Sequence, residues 1–301
     1  MQTPRESSQS DLIRRWVEVL AFVGVWFGAG LLLEMSINAY LVLGIPLTAG
    51  FQLFVRKRPI KDLWVRGGPG LSLRRVSLKL AILAILLAIY PFYQLVQLVV
   101  SGLSGQGLGT ILYLLAAIVG AGAAAYALGQ FSRETWRYLG LCLATAGLLG
   151  ILIFAVPHIL AGWSDASTAL PTGGRLGPAA LVWIEQLLLL IPVVFVMEEV
   201  AFRGAIDSHV CHPGESHGVE SSTVYGVASA IVVSVLWGLW HYPITHPPDM
   251  SVIEHVAVLL PLQVAVGPFL SLFWRRSGNL MVPGFAHATM DSFRNALGGT
   301  P

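Results

Sequence analysis

Between Lys79 and Arg133 the chain carries no Asp, Glu, Lys or Arg. A membrane-spanning helix needs about 20 mostly apolar residues, so residues 80–132 have room for two. The Gly/Ser stretch Ser101–Gly109 (SGLSGQGLG) divides them as a turn. Further apolar runs cover 19–33, 35–55, 138–164, roughly 179–197, 221–248, 255–274 and 277–290. These make about nine segments, of which eight or nine span, the last being short enough to be partly re-entrant. The runs are continuously apolar rather than alternating, which points to helices and against a β-barrel. The expected fold is all-α: a polytopic membrane protein with about eight transmembrane helices. Composition agrees, with 55% hydrophobic and 11% charged residues in 301, against about 25% charged in an ordinary globular chain. That excludes a soluble enzyme, a disordered chain and a nucleic-acid binder. Cys142 and Cys211, the two cysteines, exclude a disulfide scaffold and a four-cysteine metal site.

The first 15 residues, MQTPRESSQSDLIRR, are polar, and no small-residue cleavage site closes the apolar run after them. They read as an N-terminal segment before a retained first helix. Orientation follows from Lys and Arg. With the N-terminus in the cytoplasm, every Lys and Arg except Arg175 and Arg294 falls inside, including Arg14, Arg15, the run Arg56, Lys57, Arg58, and Arg203, Arg275 and Arg276. These charges read first as topology. A basic surface also attracts anionic lipid, although nothing in it demands a specific lipid or nucleic-acid partner.

Ionisable residues inside apolar helices cost roughly 2.5–3.5 kcal/mol each on insertion scales, so those retained are functional candidates. Three places stand out. In IPVVFVMEEVAFRGAI, residues 191–206, Glu199 and Arg203 are four apart and suited to pair, while Glu198 is turned about 100° away towards a different cavity. This reads either as a general base beside an ion pair or as a structural pair with an interfacial second carboxylate. In SVLWGLWHYP, residues 234–243, His241 ends a charge-free aromatic run and is either a functional imidazole or an interfacial one. In NLMVPGFAHATMDSF, residues 279–293, His287 and Asp291 share a helix face, as an oriented imidazole, half of a metal site, or a buried polar pair joining two helices. A fourth cluster, DSHVCHPGESHG (207–218), holds His209, Cys211, His212 and His217 at no standard zinc spacing and reads as a cytoplasmic loop. His158 and His246 lie at segment ends and read as interfacial. Glu198 and His241 reach one depth only if residues 214–222 form a non-helical connection. Together these residues suffice for water activation and oxyanion stabilisation, and peptide hydrolysis is the reaction class suggested. No HExxH, and no GxSxG or Ser/His pairing, points to an ordinary zinc or serine protease.

The same residues resemble the motifs of the CPBP family of intramembrane endopeptidases, which includes CAAX prenyl proteases and bacteriocin-processing (Abi) enzymes. EExxxR is matched by Glu198, Glu199 and Arg203. FxxxH is matched at His241 with Trp237 in place of Phe, and HxxxN/D is matched by His287 and Asp291. The resemblance covers roughly residues 180–297. It implies a CAAX-protease-like helical bundle, with N-terminal helices over 16–178 and a catalytic core over 179–297. It also implies an enzyme of the bacterial cytoplasmic membrane acting on a membrane-associated peptide or protein. Glu198 and His241 would activate water, His287 and Asp291 would support the oxyanion, and Glu199 and Arg203 would support the fold. Such a family has both glutamate-type and metalloprotease descriptions. The cofactor is therefore either none or a zinc ion on His241 and His287 with Asp291 or Glu198. The competing readings are a non-proteolytic scaffold or immunity protein of the same fold, and a small transporter.

Overall fold

Serine punctuates this chain. The side chains of Ser36, Ser77, Ser132 and Ser251 accept the backbone N–H three residues on, at Ala39, Leu80, Thr135 and Glu254, and so start four of the helices. Glu254 reciprocates to Ser251, closing a capping box. The structure, a computed structural model, describes residues 9–69, 77–102, 107–155, 176–211, 222–245 and 250–298. Its long helices are α1 (Gln9–Leu32), α2 (Ile37–Gly50, extended through Phe51–Val55), α3 (Leu78–Val100), α4 (Leu108–Gly129), α5 (Arg133–Gly150, extended through Ile151–Ala155), α6 (Leu176–Glu199, extended through Val200–Asp207 and Ser208–Val210), α7 (Thr223–Thr245), α8 (Val252–Ser277) and α9 (Met281–Gly298). Eight of them are long and apolar enough to cross a membrane; α9 falls outside that set. Among the described residues there is no strand, only an isolated bridge between Val65 and Asn279.

Within the charge-free run from 80 to 132, α3 ends at Val100 and α4 begins at Leu108, so two helices form there as expected. Helix α3 shows how the molecule meets its surroundings. Leu78, Ile82, Ile85, Ile89 and Phe92 all project outwards, an arrangement stable against lipid and costly against water. Inside, α9 packs on α6 and α5, α8 on α7, and α4 on α6. An aromatic cluster ties α1, α2, α6 and α7 together. The Trp240 ring lies 4.9 Å from that of Trp26, 5.2 Å from Tyr40 and 5.4 Å from Phe202. Two hydrogen bonds fix its geometry: Trp26 Nε1 donates to the Tyr40 carbonyl, and Tyr40 Oη donates to the Trp240 carbonyl, both at 3.0 Å.

Two expectations need correction at the end of α6. The stretch from Asp207 to Cys211 is not a solvated loop. Asp207 is fully buried, and Val210 and Cys211 belong to the core. The reason is Arg275 of α8, whose guanidinium grips Asp207 through two oxygens at 2.9 and 2.6 Å, so the charge is neutralised inside the protein. Nor does Arg275 serve only as a topological charge, while Arg203 pairs with Glu199 as its spacing suggests. Arg203 is wholly buried and Arg275 is spent on Asp207. His158, His212, His217, His246 and the expected connection over 214–221 lie outside the described residues.

Candidate active site

Glu198 and Glu199 close the regular part of α6. Directly after them the helix widens into π-type turns over Val200–Asp207, which carry Arg203. Wide turns of this kind frequently accompany functional residues. The two carboxylates point apart, as their 100° separation requires. Glu199 turns inward: its Oε1 is 3.2 Å from Arg203 Nη1, with both side chains fully buried. Glu198 turns to a cavity of about 200 Å³, whose lining includes His241, His287, Asp291, Gln263 and Arg294. That is room for several waters at about 30 Å³ each.

Three groups close around Glu198 Oε2. Trp237 Nε1 donates to it at 3.1 Å, His241 Nε2 lies at 3.5 Å and His287 Nε2 at 4.0 Å. His241 donates from Nδ1 to the Trp237 carbonyl one helical turn back, at 2.8 Å. That bond puts a proton on Nδ1 and turns Nε2 towards Glu198. His287 donates from Nδ1 to Glu199 Oε1 at 2.9 Å, and its Nε2 is 3.3 Å from Asp291 Oδ2. Both of its ring nitrogens therefore face carboxylates, and Asp291 is held in turn by Arg294 at 3.2 Å. The spacing readings placed Glu199 with Arg203 alone; in the fold Glu199 also orients His287.

Trp237 has a larger part than its place in an FxxxH-like motif suggested. Its N–H binds Glu198 while its ring lies 4.3 Å from the Arg203 guanidinium carbon, as a cation–π contact. One side chain thus braces both ends of the EExxxR segment. Gln263 was not singled out from the sequence. It is 6% exposed, lines the cavity, and its Oε1 has no hydrogen-bond partner among the described residues. The signal for it was a polar residue inside the charge-free run 255–274.

A zinc ion at this cavity would draw on His241 and His287 with a carboxylate of Glu198 or Asp291. Among the described residues no group of three or more His, Cys, Asp or Glu is arranged to hold an ion. His241 Nδ1 and His287 Nδ1 are engaged by a carbonyl and a carboxylate, which turns each Nε2 towards the carboxylate of Glu198. Of the separate histidine cluster, His209 is 2.7 Å from Glu18 and Cys211 is buried. The chemistry available at the cavity is that of carboxylates and oriented imidazoles.

Fold and site together define an all-α polytopic membrane protein with a carboxylate–imidazole cluster in its interior. Residues 178–293 match the family described as type II CAAX prenyl endopeptidase Rce1-like. The match spans Glu198, Glu199, Arg203, Trp237, His241, Gln263, His287 and Asp291. Comparison with curated proteins and with solved structures yields no significant match.

Proposed function

We propose that the protein is an intramembrane endopeptidase in which Glu198 activates water for attack on a peptide bond of a membrane-associated protein or peptide. The observation that carries this reading is the convergence of Trp237, His241 and His287 on one oxygen of Glu198 at the wall of a cavity. The match of residues 178–293 to a CAAX endopeptidase family model supports the same reading. A water held between Glu198 and His241 Nε2 gives up a proton to Glu198 as its oxygen bonds to the scissile carbonyl carbon. His287, oriented by Glu199 and Asp291, donates from Nε2 towards the oxyanion that forms. The proton on Glu198 passes to the amide nitrogen as the C–N bond breaks, leaving a new carboxylate and a free amine. Arg203 holds Glu199 in place, and Trp237 donates to the Glu198 carboxylate that moves the proton.

The test is cleavage of a CAAX-type peptide, with and without a prenyl group on its cysteine, by the full chain reconstituted in liposomes. Glu198→Gln, close to isosteric, is expected to keep its melting temperature and lose about 10²–10⁴-fold in turnover. Full turnover by Glu198→Gln overturns the proposal.

A further inference from the structure

Gln263 lines the Glu198 cavity, and the chemistry proposed there leaves it unused. It lies on α8 in an otherwise apolar stretch, LLPLQVAV. Only 6% of it is exposed, and its Oε1 has no hydrogen-bond partner among the described residues. A buried amide oxygen without a partner destabilises a fold, and a leucine in its place carries no such penalty. The side chain is nevertheless held beside the reacting groups. A Cβ placed on Gly238 would lie 3.4 Å from Gln263 Cβ and 3.6 Å from its Cγ. The stem of Gln263 thus rests on bare backbone of α7, between Trp237 and His241 in the chain. Around it the wall of the cavity is carbon, from Leu41, Leu262 and Val266.

The partner missing from this amide is a donor, and a peptide substrate brings one. The scissile unit is fully used by Glu198, His241 and His287. The peptide units on either side of it enter the same apolar wall with their N–H and C=O groups stripped of water. Each such group left unpaired in a membrane interior is costly. A carboxamide carries both an acceptor and donors, and so matches a peptide unit. No hydrogen bond of the Gln263 oxygen has to break for it to turn. The torsion about its last bond is soft, and a half-turn exchanges Oε1 with Nε2.

We infer that Gln263 is a substrate-binding residue whose Oε1 accepts the N–H of a peptide unit beside the scissile bond, so that the site takes an extended main chain. A helical segment has its N–H groups bonded four residues back and offers none of them. An extended segment offers one at each unit and is read through its main chain, whatever its side chains. The assignment rests on the peptidase reading of the same cavity and adds to it the conformation in which the substrate is held.

The probes are a prenylated CAAX-type peptide and analogues in which each amide flanking the scissile bond is replaced in turn by an ester, which removes the N–H and keeps the shape. Their affinities are measured on the full chain carrying Glu198→Gln in liposomes, and their kinetics on the chain with Glu198 intact. An ester at one flanking position is expected to weaken binding and raise KM by about 5–20-fold, with kcat within about twofold. Adding Gln263→Leu is expected to weaken the all-amide peptide by a similar factor and to make that ester nearly neutral, because the two changes remove the same bond. A structural role for Gln263 leaves the ester penalty unchanged, and that result overturns the inference. So does a scan in which no ester matters by more than about twofold. If Gln263→Leu does not fold, Gln263→Met, of similar length and without the amide, carries the same comparison. Cleavage by wild type without any Gln263-linked ester penalty keeps the peptidase and removes this role. Gln263-linked binding without cleavage keeps the role and removes the peptidase, and a peptide neither bound nor cleaved removes both.

Discussion

Trp237 stands where the family motif has Phe, and the indole supplies one hydrogen bond that Phe lacks. Trp237→Phe keeps an aromatic face over Arg203 and removes the donor to Glu198. A hydrogen bond to a charged group contributes about 1.5–3 kcal/mol, so the variant is expected to lose roughly 10–100-fold in kcat/KM with little change in melting temperature. Steady-state kinetics beside a melting curve separates this from a packing defect, which would lower both together. Arg203→Ala belongs to another class. It leaves buried Glu199 with the His287 N–H but without its guanidinium partner, at a cost of about 3–5 kcal/mol. A marked fall in the yield and heat resistance of folded protein is the expected result; an Arg203→Ala protein as stable as wild type would show that the pair is not structural. Gln263→Leu tests the orphaned amide. Removing a buried oxygen without a partner is expected to raise stability by about 1–2 kcal/mol in the resting protein. If that amide meets substrate, KM rises as well. A lowered melting temperature in Gln263→Leu would mean that the oxygen is already satisfied.

At the scale of elements, the decisive piece is the widened end of α6. Gly204 sits against the loop after α2 so closely that a Cβ there would lie 2.5 Å from the Leu63 carbonyl oxygen. Gly204→Ala must push this backbone away, and with it the Arg56–Gly204 contact. Loss of stability and of activity together is expected, measurable by melting and turnover of the same preparation. The existence of α6 was legible, because an apolar run before EExxxR leaves little choice at 3.6 residues per turn. The burial of Asp207 was not. Its partner Arg275 is 68 residues away on α8, and only tertiary packing can say whether a polar stretch after a helix is solvated or paired. The connection before α7 was expected as a polar loop for the same local reasons, and on that local information the error at Asp207–Cys211 was built in.

Taken as a whole molecule, the Glu198 cavity and a second cavity lined by Arg14, Arg15, Arg56 and Arg58 sit at opposite ends. The arginine cavity is bounded by the ends of α2 and α6, whereas the Glu198 cavity is lined by Ile37 at the start of α2, Thr245 at the end of α7, and Arg294 late in α9. From positive-inside bias we propose that the arginine end faces the cytoplasm and the Arg294 end the opposite side of the membrane. An impermeant maleimide is expected to label Arg58→Cys and Arg294→Cys from opposite faces of oriented vesicles. The native Cys142 and Cys211 are buried and leave a low background. Labelling of both from one face would refute the two-ended arrangement.

What this sequence determined unaided follows from short-range rules. Charge-free runs set the spans, serines and a Gly/Ser turn set several of their ends, and the i,i+4 spacings paired Glu199 with Arg203 and His287 with Asp291 on single helix faces. Only the tertiary structure decided which of these pairs meet. His287 donates to Glu199 across 88 residues of chain, Trp237 reaches Glu198 across 39, and Gln263 joins the same cavity. The physical reason is that helical periodicity fixes the direction of a side chain relative to its own axis. Which other axis lies opposite is set by the packing of several helices at once, a property that no single segment carries.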